Sequence, residues 1–69
     1  MDWKEIKDSS MIKRIAYKDN ILYVTFNNDS VYEYYNVDKQ IFYNLHIAES
    51  VGKYFCKNIK NIYEYKKLD

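Results

Sequence analysis

The sequence predicts an α+β domain, a three-stranded antiparallel β-meander followed by two helices packed on one face. Three observations carry that reading. Residues 11–36 hold three runs dense in β-branched and aromatic residues, separated by turns of Asn, Asp and Ser. From Lys39 the apolar spacing changes from that of a strand to that of a helix. Asp38 and Ser50 each stand just before a helical pattern, where a short oxygen-bearing side chain accepts the unpaired N–H groups of a first turn.

Residues 1–8 form an N-terminal arm in which Trp3 and Ile6 share one side of a helical turn. The arm either docks on the domain through Trp3 or frays as termini do. The first strand spans residues 11–17, and Lys18-Asp19-Asn20 makes a turn by composition. The clearest strand is residues 21–26, Ile-Leu-Tyr-Val-Thr-Phe, and the third runs over residues 31–36. Between them, Asn27-Asn28-Asp29-Ser30 supplies residues that tolerate a left-handed backbone.

The length of this second turn decides which side chains share a face. A two-residue loop at Asn28-Asp29 pairs Phe26 with Val31 and sets Glu33 opposite Val24, a carboxylate against the core. A bulged three-residue loop flips the faces and pairs Phe26 with Tyr32. Tyr32 and Tyr34 then line the helix side, while Glu33 and Tyr35 face out beside Tyr23 and Thr25. The bulged loop is the preferred reading.

Asp38 caps a helix over residues 39–49 whose apolar stripe is Ile41, Phe42, Leu45 and Ala48. Ser50 caps a second helix with Val51, Tyr54, Phe55, Asn58, Ile59 and Ile62 on one side and Lys53, Lys57 and Lys60 on another. The only glycine, Gly52, sits in its first turn. The segment after Ile62 alternates, and either adds an edge strand or trails off. The helices are needed, because an isolated meander is barely stable.

Composition narrows the function classes. At 69 residues there is room for one domain, and 48% hydrophobic content with a net charge of +1 does not fit a disordered chain. No apolar run approaches a membrane span or a signal peptide, so the cytoplasm is the default location and no membrane partner is implied. One cysteine, Cys56, excludes an internal disulfide framework. That thiol and the single histidine, His46, cannot build a structural zinc site, so no metal and no cofactor is expected.

The residues from Ser9 onward resemble a known family. The run is Ser9-Ser10-x-Ile12, Tyr17, Leu22-x-Val24-x-Phe26, Tyr32-x-Tyr34, Val37, then Phe42-x-x-Leu45-x-x-Ala48-x-Ser50-x-Gly52-x-Tyr54-Phe55-x-x-x-Ile59 and Tyr63. It is similar to the KTSC domain, a module at the C-terminus of some lysyl-tRNA synthetases that also occurs as small stand-alone bacterial and phage proteins. The resemblance divides the chain into an arm (1–8), a KTSC-like domain (9–65) and a tail (66–69). Three positions depart from the family pattern. Asp29 replaces a turn glycine, Asp38 a proline, and Cys56 an asparagine whose polar contact is thereby lost. The family's place on synthetases implies RNA as a partner, by association.

No catalytic constellation is present. Cys56 and His46 fall in different helices with no orienting third group, and the acids are scattered, so the chain reads as a non-enzymatic binding domain. Cys56 is expected half-buried under the second helix, and His46 solvated. Charge is more informative. Residues 1–50 hold six basic and eight acidic residues, and residues 51–69 hold five basic and two acidic. Lys53, Lys57 and Lys60 recur at helical spacing and make one positive stripe, which is also what a merely solvated helix face looks like. The leading functional reading is RNA or another polyanion bound by Arg14, Lys53, Lys57 and Lys60 at phosphate, with Tyr23 and Tyr35 stacking bases. The alternatives are a protein-interaction or self-associating module, as a phage protein acting on a host protein would be, and a binder of a small nucleotide-like ligand.

Overall fold

The computed structural model describes residues 1–7 and 9–68; Asp8 of the arm and Asp69 of the tail lie outside the described residues. Seven elements follow in order: β1 (Lys4–Glu5), β2 (Ile12–Lys18), β3 (Ile21–Phe26), β4 (Val31–Tyr34), α1 (Lys39–Ile47), α2 (Val51–Asn58) and β5 (Tyr65–Leu68). The sheet has five strands rather than three, in the order β1-β2-β3-β4-β5, every pair antiparallel. The arm supplies one extra strand and the tail the other, so both chain ends are edges of one sheet. Their short, lysine-bearing runs suit edge positions, where a charged side chain discourages further pairing.

The first hairpin closes through Asp19 and Asn20, both with left-handed φ (52° and 65°), which pairs Lys18 with Ile21. Two consecutive positive φ values match the right-handed twist of the strands they join. The second hairpin has a three-residue loop. Asp29 N–H donates to Phe26 C=O at 2.8 Å, Asp29 takes φ 70°, and Phe26 N–H donates to Ser30 C=O at 2.9 Å. The partner of Phe26 is therefore Ser30, not Tyr32, and Tyr32 stands opposite Val24. The shift from the expected register is two residues, so the faces are unchanged. Tyr32 and Tyr34 do point to the helix side, and Glu33 shares the other face with Tyr23.

Both expected caps are present. Asp38 accepts from Gln40 N–H at 3.2 Å and Ser50 accepts from Lys53 N–H at 3.3 Å. The helices are shorter than their apolar patterns: α1 stops at Ile47 and α2 at Asn58. Asn61 takes a left-handed φ of 65° just after α2, and this turn carries Ile62 away from the core to 62% exposure, against its expected place on the stripe. The core is one cluster in which Ile12, Ile15, Leu22 and Val24 of the sheet meet Leu45, Phe55 and Ile59 of the helical layer, with Tyr34 and Val37 between. No helix among the described residues is long and apolar enough to cross a membrane.

Phe55 touches Phe26 and Tyr34 edge-on at 5.5 Å and 5.4 Å and is 2% exposed. Phe55→Ala should destabilise by about 3–5 kcal/mol, a large share of what so small a core supplies, and a urea midpoint measures it. Gly52 behaves oppositely. A Cβ there would meet Ser9 Oγ at 3.8 Å and Met11 at 3.9 Å, ordinary contacts in a helical backbone. Gly52→Ala should therefore raise the same midpoint, by up to about 1 kcal/mol in stability.

Candidate ligand-binding cleft

Alternation along β4 and β5 sends Tyr32, Tyr34 and Tyr65 to the helix side, and α2 covers only part of that surface. The Tyr32 and Tyr34 rings lie nearly parallel, 6.3 Å apart at 20°. Tyr65 tilts against both, with centroids at 5.7 Å. Phe26 closes the other side, edge-on to Tyr32 at 5.3 Å. These four rings and Phe55 line an open cleft of about 580 Å³. Its rim carries Lys60 and Asn61 from the turn after α2, and Asn27 and Asn28 from the β3–β4 hairpin. Among the described residues no carboxylate lines it.

The hairpin rim is held on three sides. Asn27 Nδ2 donates to Ser9 C=O at 3.1 Å, Asn27 N–H donates to Met11 C=O at 2.9 Å, and Lys13 Nζ lies 2.7 Å from Asp29 Oδ1. The Lys13 contact comes from a bulge: β2 shifts register between Ile12 and Arg14, which makes Lys13 the extra residue. The Lys13 ammonium, by hydrogen bond and by charge, holds the Asp29 carboxyl below its usual range. Deeper in the cleft, Tyr34 is 4% exposed. Burial first, and then the neighbouring Tyr32 and Tyr65 hydroxyls, push its pKa up to about 12. At neutral pH this phenol is a firm O–H donor.

The residues expected to bind nucleic acid are not on one surface. Arg14 and Tyr23 lie on the sheet face away from the helices. There the Arg14 guanidinium sits over the Trp3 ring at 5.0 Å, and Tyr23 meets Trp3 edge-on at 6.4 Å. The arm is thus docked through Trp3. Tyr35 O–H donates to Glu33 Oε1 at 2.8 Å. That bond is the main reason the Tyr35 pKa is raised, whereas for Tyr23 burial comes first and the Glu33 charge second. Both tyrosines are tied to a carboxylate, which repels a phosphate chain. Arg14 and Thr25 pair directly across β2 and β3, and their Nε and Oγ1 atoms are buried on this face without hydrogen-bond partners among the described residues.

Lys53, Lys57 and Lys60 are exposed on the opposite side of the molecule, because α2 seals the sheet with Phe55 and must turn its lysines outward. Even there they diverge. Lys53 borders a more polar cleft of about 690 Å³ with Glu5, Lys7, His46 and Glu49, while Lys60 borders the aromatic cleft. Cys56 is exposed rather than half-buried, with Sγ 3.9 Å from Met11 Sδ. His46 is exposed and stacks on Phe42 at 6.2 Å. The expected set did not include Tyr32, Tyr34 and Tyr65, which line the aromatic cleft. Their signal was the Tyr-x-Tyr of β4 followed by a further tyrosine in an alternating tail. It was legible as a face but not as an unfilled one.

A raised pKa fixes how Tyr34 links to stability. The fold favours the neutral phenol, so its contribution is intact below about pH 10 and is lost as pH climbs through 10 toward about 12. Tyr34→Phe should flatten that alkaline decline, read as thermal midpoint against pH from 9 to 11.5.

The KTSC domain model matches residues 8–63. A lysine–tRNA ligase from Nostoc punctiforme is 35% identical over 63 residues, which is 88% of this chain and only 11% of the ligase. A crystal structure of a KTSC domain protein from Yersinia pestis superposes with a TM-score of 0.91 at 28% identity, covering 99% of this chain and 97% of the other.

Proposed function

This chain belongs to the KTSC domain family, and we propose that it is a non-catalytic domain that binds single-stranded RNA by seating an unstacked base in the aromatic cleft. The observation that carries this reading is the lining itself: five aromatic rings around about 580 Å³, a lysine at the mouth and, among the described residues, no carboxylate. Bases splayed out of a strand stack on aromatic side chains, at about 1–3 kcal/mol per base. Lys60 stands where a flanking phosphate would pass, and Lys67 lies opposite Tyr32 on the same face. The similarity to a stretch of a tRNA ligase supports an RNA partner by association alone, since the chain spans 11% of that enzyme. The reading keeps RNA from the sequence but moves the stacking role from Tyr23 and Tyr35 to Tyr32, Tyr34 and Tyr65.

The test is fluorescence anisotropy of a short labelled single-stranded RNA at low and moderate salt. Micromolar binding that weakens with salt is expected. Tyr65→Ala, at a ring 57% exposed and so removable without loss of core, should weaken it about tenfold. Lys60→Glu should weaken it and lower the salt slope by about one. Tyr23→Ala should leave it unchanged. Absence of salt-sensitive binding at tens of micromolar protein, or sensitivity to Tyr23 but not to Tyr65, overturns the proposal.

A further inference from the structure

We propose that the sheet face turned away from the helices is where a second copy of this chain docks, about a twofold axis that runs along β3. The aromatic cleft opens on the other side of the sheet and takes no part. Directly paired residues of antiparallel strands share a face, so the register fixes which charges this one carries. β1 places Glu5 there, opposite Arg14 of β2. Lys18 joins Arg14, since β2 alternates regularly after its bulge. From β3 come Ile21, Tyr23 and Thr25, and no charge. β4 contributes Glu33, opposite Tyr23, and β5 contributes Lys66, opposite Glu33. Across the five strands the sign runs negative, positive, neutral, negative, positive.

That order is antisymmetric about β3, which is what a twofold axis requires. Two sheets packed face to face keep their strands within about 30° of each other. With the axis along β3, β2 of each copy lies over β4 of the other, and β1 over β5. The rotation preserves height along the strands. Glu33 therefore arrives over Ala16 of the other copy, which shares its row through Tyr23, and so between Arg14 and Lys18. Glu5 arrives over β5 of the other copy, beside Lys66. Each charged strand meets the opposite sign, and meets it twice, because both copies use the same surface. Tyr23 meets its own equivalent near the axis. Val31 and Leu68, half-buried within one copy, add apolar area beside it. Charge selects the partner and the alignment, while apolar burial holds the pair. At the usual strand and residue spacings the face measures about 20 Å by 20 Å, a size that belongs with weak, reversible association.

Sedimentation velocity on the full chain, from micromolar to near-millimolar protein, should show monomer passing into dimer, and added salt should shift the balance back. Lys66→Glu sets like charges against each other at both β1–β5 contacts and should weaken the dimer about tenfold. Glu5→Lys should do the same. Both side chains are exposed, and a urea midpoint shows that each variant stays folded. Glu5→Lys combined with Lys66→Glu should restore the dimer, which damage to the fold would not. Tyr65→Ala, on the other face, should leave association unchanged. Monomer at every concentration overturns the proposal and leaves this face to a partner of different chemistry. A dimer that the double exchange does not restore, or one that Tyr65→Ala abolishes, overturns docking through this face.

Discussion

The left-handed backbone at Asp29 decides what this domain can be. It closes a three-residue loop that sets Ser30 against Phe26, and from that single pairing every second residue of β4 inherits its face. Tyr32 and Tyr34 turn toward the helices, and Glu33 turns away. A loop one residue shorter would drive Glu33 into an apolar layer without a partner and expel both tyrosines, an exchange no core of this size could absorb. The same turn fixes where the cleft is. Asn27 and Asn28 form its rim only because the loop bends back over Phe26, and the Lys13–Asp29 contact and the Asn27 bonds to Ser9 and Met11 hold it there. An exposed ion pair is worth little in stability. Its effect is positional, limiting how the rim can move over the rings.

Much of this was legible in the residues. The Asp38 and Ser50 caps, the three central strands and the choice of faces all follow from local rules that the fold obeys. What stayed hidden has physical causes. Lys4–Glu5 and Tyr65–Leu68 are edge strands too short and too charged for alternation to announce them, and they exist only because β2 and β4 offer open hydrogen-bonding edges. Ile62 fits a helical stripe on paper. The helix has already ended before it, since Asn61 adopts a backbone that breaks the period, and nothing in spacing alone marks that stop.

The division of the expected binding residues follows from one constraint of layered folds. A helix that covers a sheet presents its polar side to solvent on the far side from the sheet's other face. Lysines on α2 and tyrosines on the outer sheet face therefore cannot share one surface, however suggestive their spacing. The outer face is not a bare platform either. Trp3, Arg14 and Tyr23 pack together on it, and Glu33 holds Tyr35, so its aromatic groups already have protein partners. Aromatic count alone could not separate rings already engaged there from rings around unfilled space.

Position 34 bears most directly on whether that unfilled space is functional. Phenylalanine would fill the same volume against Phe55 and Leu22 and would bring no hydroxyl to the cleft. The tyrosine present is 4% exposed, and burial first, then the Tyr32 and Tyr65 hydroxyls, push its pKa up to about 12. Beside it, Tyr65 stands 57% exposed in a domain with little core to spare, and the two rings border one cleft. Under the reading proposed above, a flat base would stack on the exposed Tyr65 ring and lie against Tyr34 at the base of the cleft.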